Sequence, residues 1–237
     1  MKNVIIAGAT GMIGGLVLDH CLKSPEIGKV TIIVRKPKGI SDSKLTEVVH
    51  SDFNNYSAVE EHFNNQDIAY YCIGVYTDAV PRNEFREITV DFTKAFADTL
   101  KQNSPEATLC FLSGMGADRT EKSRAMFAID KGIAENYLLK QDFNQLYMFR
   151  PAYIYPITPR KEPNLSYRIM RAAYPIFNII YPNGSLTSVE LASAMFRCGL
   201  HGWTEDTLEN RDIKKAAAMN YPAASYGVST AVIPEVC

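Results

Sequence analysis

NVIIAGATGMIGGLVLDHCLK, residues 3–23, decides the fold. Its first five residues form an apolar run too short for a helix, and it leads directly into the glycine loop GATGMIG, Gly8 to Gly14. The residues that follow, MIGGLVLDHCLK, space apolar side chains by three and four, as a helix packed on a sheet requires. The stretch therefore reads as strand, loop, helix. Gly8 lets the chain turn off the strand, Gly11 removes a Cβ where a pyrophosphate would approach the backbone, and Gly14 lets the helix pack close. Thr10, Met12 and Ile13 complete the loop and open the helix, whose free N–H groups and positive end would face phosphates. Glycine turns often serve packing alone. The position in the first βα unit favours cofactor binding.

The same alternation continues along the chain. KVTIIV (29–34), TEVV (46–49), IAYYCI (68–73), ATLCFL (107–112) and QLYMF (145–149) read as buried strands. SAVEEHF (57–63), EFREITVDFTKAFADTLKQN (84–103) and KSRAMFAIDKGIAENYLLK (122–140) read as helices. The expected fold is α/β, a doubly wound, Rossmann-like parallel sheet with helices on both faces. One domain would span residues 1–214, with 151–200 as a lobe on the substrate side. Prolines 151, 156, 159 and 163 open that lobe, the apolar run 167–181 follows, and a helix is expected around 187–200. Residues 215–237 show no clear periodicity and are expected to be a loosely packed tail.

Composition excludes several classes. Of 237 residues, 46% are hydrophobic and 22% charged, which is soluble and globular, and one α/β domain accounts for the length. Twenty-five basic residues against 26 acidic ones leave a net charge of −1, so no nucleic-acid footprint exists. No apolar stretch is long enough to span a bilayer. Cys21, Cys72, Cys110, Cys198 and Cys237 are scattered, with no CxxC, so they read as buried apolar residues of a reducing cytoplasm, not as disulfides or metal ligands. The partner is left open among a small-molecule substrate, a protein and a second copy of the chain.

The end of the second strand bears on the choice of cofactor. NAD binders carry an acid there for the ribose hydroxyls. This strand ends VRKPK, with Arg35, Lys36 and Lys38 and no carboxylate. A guanidinium can grip a 2′-phosphate, so NADP(H) is the expected cofactor, with Arg35 and Lys36 as its ligands. The alternative is a solvated basic loop.

The ordered series GATGMIG, VRK, SDF, YYCIGV, FLSGMGAD, FAIDKGIAE and FRPAYIYP resembles the short-chain dehydrogenase/reductase superfamily, over roughly residues 3–213. It is most similar to the atypical branch related to the Tat-interacting-protein oxidoreductases. The resemblance implies Asp52 and Phe53 beside the adenine, with Cys72, Ile73 and Gly74 passing over a ribose. It places Lys131 on the nicotinamide ribose, and Pro151, Ala152, Tyr153 and Ile154 at the carboxamide. Taken singly, Asp52 also reads as a turn former, Cys72 as a core residue and Lys131 as a surface lysine. The catalytic candidates are Lys131 and Ser113. Two departures stand out: Phe127 occupies the place of the usual catalytic tyrosine, and Ser113 is the only hydroxyl in FLSGMGAD. Tyr137 does not restore the motif, because Lys140 follows only three residues on. Tyr76 and Asp78 are substitute acids by topology. Two functions fit: NADP(H)-dependent hydride transfer to a small carbonyl or quinone, or a non-catalytic NADP(H)-binding redox sensor or adaptor.

Overall fold

The computed structural model describes residues 1–77, 79–158, 174 and 184–219. Its strands are β1 (Lys2–Ala7), β2 (Ile27–Val34), β3 (Leu45–Val49), β4 (Ile68–Tyr71), β5 (Thr108–Leu112), β6 (Gln145–Arg150), β7 (Tyr153–Tyr155), β8 (Ser185–Thr187) and β9 (Thr207–Glu209). The helices are α1 (Met12–Lys23), α2 (Arg82–Arg86), α3 (Phe92–Asn103), α4 (Met126–Lys140), α5 (Ser188–His201) and α6 (Asn210–Ala218). Seven strands make one parallel sheet in the order β3-β2-β1-β4-β5-β6-β9. β7 and β8 form a separate parallel pair. The order reverses between β1 and β4, which places a ligand crevice at the carboxyl ends of those two strands.

Strand alternation sorts the core into two layers. Val4 and Ile6 of β1 join α1, α5 and α6 on one face, while Ile5 and Ala7 join α3 and α4 on the other. Tyr70 and Tyr71 divide in the same way. The Tyr70 hydroxyl donates to the Phe196 carbonyl at 3.0 Å. A Cβ at Gly199 would lie 2.5 Å from that hydroxyl, so only glycine lets α5 reach β4.

Several local readings change. SAVEEHF is a short 3-10 helix that buries only Phe63. Helix α4 begins at Met126 and not near residue 122, because the Asp118 carboxylate takes the N–H groups of Thr120, Lys122 and Ser123 and holds them in a loop. The 84–103 helix starts earlier, after Pro81, and carries a π-turn over Glu87–Asp91. β4 stops at Tyr71, although the Cys72 N–H still reaches the Ala7 carbonyl at 2.8 Å. Residues 215–218, expected in a loose tail, belong to α6, which buries Ile213 and Ala216. Residues 220–237 lie outside the described residues, as does the apolar run 167–181 except for Tyr174, whose ring stacks on Tyr155 at 4.0 Å.

Candidate functional site

The glycine loop sits at the switch point. Gly8 has φ +86°, and a Cβ there would lie 2.7 Å from the Cys72 carbonyl. A Cβ on Gly14 would lie 2.2 Å from the Gly8 carbonyl oxygen, so α1 is seated against the loop itself. Gly11 differs. Its only close neighbour would be the Gly8 oxygen, at 3.2 Å, so the space above it is open and a side chain would fill it. Gly11 is also the N-cap of α1, and neither a capping side chain nor an acidic residue in the first turn occupies the positive end of the helix. A helix N-terminus with no capping side chain, under an open glycine surface, fits a pyrophosphate. Thr10, Met12 and Ile13 flank this surface, with Ile13 turned into the core.

Beyond β2, Arg35 and Lys36 are exposed. Lys38 folds back, and its ammonium donates to the Ala9 carbonyl at 3.1 Å. The Glu47 carboxylate accepts the Lys38 N–H at 2.5 Å and fixes the turn. Lys38 is thus the basic residue of VRKPK that touches the glycine loop. Asp52 is exposed and accepts the Asn54 N–H at 3.0 Å, the geometry of a turn former. Phe53 is buried against Tyr56 and Phe92. Cys72 is buried, with its thiol pushed up to about 12 by desolvation, while Ile73 packs against the core and Gly74 is exposed. Cys21, Cys110 and Cys198 are also free and buried.

A cavity of about 480 Å³ opens beyond the loop, at the ends of β4, β5 and β6. Ser113, Lys131, Phe127, Tyr76 and Tyr153 line it, with Met115, Pro151 and Ala152. Ile154 lies elsewhere, packed against the core. Asp78 is outside the described residues. Tyr137 points away from the cavity residues, its hydroxyl donating to Asp98 at 2.6 Å.

Lys131 owes its position to Gly132, where a Cβ would lie 1.9 Å from the Asp118 carbonyl. Helix α4 therefore lies hard against the loop after β5. The Lys131 ammonium donates to the Leu112 carbonyl at 3.2 Å and lies 5.4 Å from the centre of the Phe111 ring. Desolvation pushes its pKa down to about 8, against the opposing pull of Glu135. Next to it, Asp130 is fully buried and clamped by Arg82 and Arg86 at 2.5 and 3.1 Å, which ties α2 to α4.

Ser113 Oγ donates to Glu135 Oε1 at 2.5 Å. Glu135 is fully buried and also accepts from Arg119 Nε at 2.8 Å and from Arg150 Nε and Nη2 at 2.9 and 2.5 Å. Burial disfavours its charge. The hydrogen bonds from Arg150 and Ser113 and the charges of Arg150 and Arg119 outweigh that, and hold its carboxyl below the ordinary value. Glu135 and Asp130 escaped the sequence reading because a charged residue within a helix reads as surface, and Arg119 and Arg150 because a charged residue in a loop or at a strand end reads the same way. The one available signal was that both acids lie in the Lys131 segment. Among the described residues, no group of three or more His, Cys, Asp or Glu side chains is arranged to hold a metal ion. No helix of the described residues is long and apolar enough to cross a membrane.

Residues 8–172 match the family model described as NAD(P)H-binding. The protein HTATIP2 of Rattus norvegicus is 26% identical over 152 residues, covering 63% of this chain and 62% of that protein, which is under two thirds of its length. Protein FMP52, mitochondrial, of Candida albicans is 25% identical over 164 residues, covering 68% and 69%. Among solved structures, the Bordetella bronchiseptica enzyme WbmH in complex with NAD+ superposes with a TM-score of 0.64 at 17% identity, covering 94% of this chain and 84% of that one. The UDP-N-acetylglucosamine 4-epimerase of Bacillus cereus gives 0.62 at 15% identity, covering 90% and 79%. These structures share the fold.

Proposed function

This chain belongs to the NAD(P)H-binding family, and we propose that it is an NADP(H)-dependent oxidoreductase of the atypical short-chain dehydrogenase type, acting on a small carbonyl or quinone. One observation carries the reading: Lys131 and Ser113 meet in a single cavity beyond the carboxyl ends of β4, β5 and β6, in the same parallel sheet whose β1 leads into the glycine loop. Gly11 and the N-terminus of α1 would hold the pyrophosphate. Arg35 and Lys36, backed by Lys38 on the loop, would meet a 2′-phosphate, and Pro151 and Tyr153 would border the nicotinamide. When bound, the reduced nicotinamide supplies a hydride to the substrate carbon. The cavity mouth carries the partly exposed apolar side chains Met115 and Phe127, which suit an apolar or aromatic acceptor. We assign the protein to the cytoplasm from its scattered free cysteines. Three relatives are named mitochondrial, so cell fractionation is the check.

Phe127, which has no proton to give, favours the second reading, an NADP(H)-binding redox sensor. NADPH oxidation with a panel of aldehydes, ketones and quinones separates the two. Turnover with any acceptor is the result expected. Tight NADPH binding with no turnover would leave the sensor.

A further inference from the structure

Which group can protonate a carbonyl here depends on where the hydrogens of the site are already committed. An ionised carboxylate only accepts hydrogen bonds, so the hydrogen in the Ser113–Glu135 contact belongs to the serine. Ser113 therefore offers lone pairs to the cavity and has no hydrogen left to polarise a carbonyl. Phe127 has none either. Lys131 has three N–H bonds, of which the Leu112 carbonyl takes one.

We propose that Lys131 is the proton donor of this site and hands its proton directly to the substrate oxygen, while Glu135 holds Ser113 as the acceptor for the hydroxyl that forms. The inference rests on the oxidoreductase reading above, with the reduced nicotinamide as reductant. As hydride reaches the carbonyl carbon, a C–H bond forms and the π pair of the carbonyl moves to oxygen. The Nζ–H bond breaks with its electron pair left on nitrogen, and an O–H bond forms. Water then restores the ammonium.

The surroundings suit the task. An ammonium pushed down to about 8 by desolvation gives up its proton more readily near neutral pH than an exposed lysine does. The charged and titratable groups around it are accounted for. Glu135 lies one turn along the same helix and is neutralised by Arg119 and Arg150. Asp130 is neutralised by Arg82 and Arg86 from α2. Tyr76 and Tyr153 also stand in the cavity wall, each with a hydroxyl, and a loss of turnover centred at about 10, the ordinary value of a phenol, would move the donor to one of them.

Lys131→Arg tests the proposal, because a guanidinium keeps the charge needed to hold a ribose but gives up no proton at neutral pH. NADPH affinity of the variant is measured first, and turnover is compared at saturating NADPH so that any change in binding is separated from the proton transfer. Turnover of the best acceptor should fall by about 10²- to 10⁴-fold. The natural protein should lose turnover as pH rises through about 8, where the ammonium deprotonates. A readout independent of turnover is the NMR titration of isotopically methylated Lys131 in cofactor-free protein, expected to have its midpoint near 8. If the arginine variant does not fold, Lys131→Met supplies the turnover comparison. Turnover that survives either substitution with an unchanged pH profile overturns Lys131 as donor and leaves the oxidoreductase reading intact. A titration midpoint at the ordinary lysine value also overturns it. Absence of turnover in the natural protein with every acceptor overturns both.

Discussion

Glu135→Gln should destabilise the protein at neutral pH, and the size of the loss follows from its contacts. The natural carboxylate is fully buried and receives two N–H groups from Arg150, one from Arg119 and the Ser113 hydroxyl. Breaking a buried ion pair from one side costs about 3–5 kcal/mol, because the partner charge is left uncompensated. Two features pull the figure to the low end. The Arg119 side chain is 31% exposed and can rehydrate, and Arg150 keeps Glu209 at 3.4 Å. A glutamine oxygen can also still accept from Ser113. The expected loss is about 3 kcal/mol at pH 7, which lowers Tm by roughly 6–12 °C for a chain of this size. Urea denaturation followed by circular dichroism measures it. The pH dependence has a definite sign. The carboxyl is held below its ordinary value in the folded state, so its stabilisation is complete above the unfolded pKa of about 4.3 and fades as pH falls through the folded value. The gap between natural protein and variant should therefore narrow in acid. A loss below about 1 kcal/mol at pH 7, or a gap that stays constant into acid, would refute an ionised Glu135 holding two arginines.

The remaining predictions concern the cofactor and the cavity. Arg35→Ala should weaken NADP(H) by about 1.5–3 kcal/mol, the scale of a charge-assisted hydrogen bond, and leave NAD(H) nearly unchanged. Calorimetry that shows equal losses, or an original preference for NAD(H), removes the 2′-phosphate assignment. Gly11→Val should abolish binding of both cofactors in a chain that still folds, because the only close neighbour of the added carbon is the Gly8 oxygen at 3.2 Å. Retained affinity in the folded variant would put the phosphates elsewhere. Phe127→Tyr adds a hydroxyl to a ring that is 38% exposed in the cavity wall. It should keep NADPH affinity and raise reductase activity on aldehydes or quinones. A fall from measurable activity would show that the ring itself belongs to a different working site.

What could be read from the chain was what local spacing encodes. MIGGLVLDHCLK is α1 residue for residue, and six strands were found within a few residues of their true ends, because apolar runs between turn signals are the physical cause of buried parallel strands. The three short strands β7, β8 and β9 were not legible. Each has three residues, too few for a period to show, and each forms only because a partner strand stands beside it. The start of α4 was misplaced for a related reason. Lys122 and Ser123 carry a helical pattern, but Asp118 holds their N–H groups in a loop.

By itself the sequence determined the doubly wound α/β class and the glycine loop, since each lies in a contiguous stretch whose pattern has a direct steric or chemical meaning. Only the tertiary structure decided the chemistry around Ser113 and Lys131. Glu135 lies 22 residues beyond Ser113 in the chain, and Arg150 a further 15. Whether a serine gives or accepts a hydrogen, and whether an ammonium is solvated or desolvated, depends on groups that meet through folding across β5, α4 and β6. No spacing along the chain records that meeting.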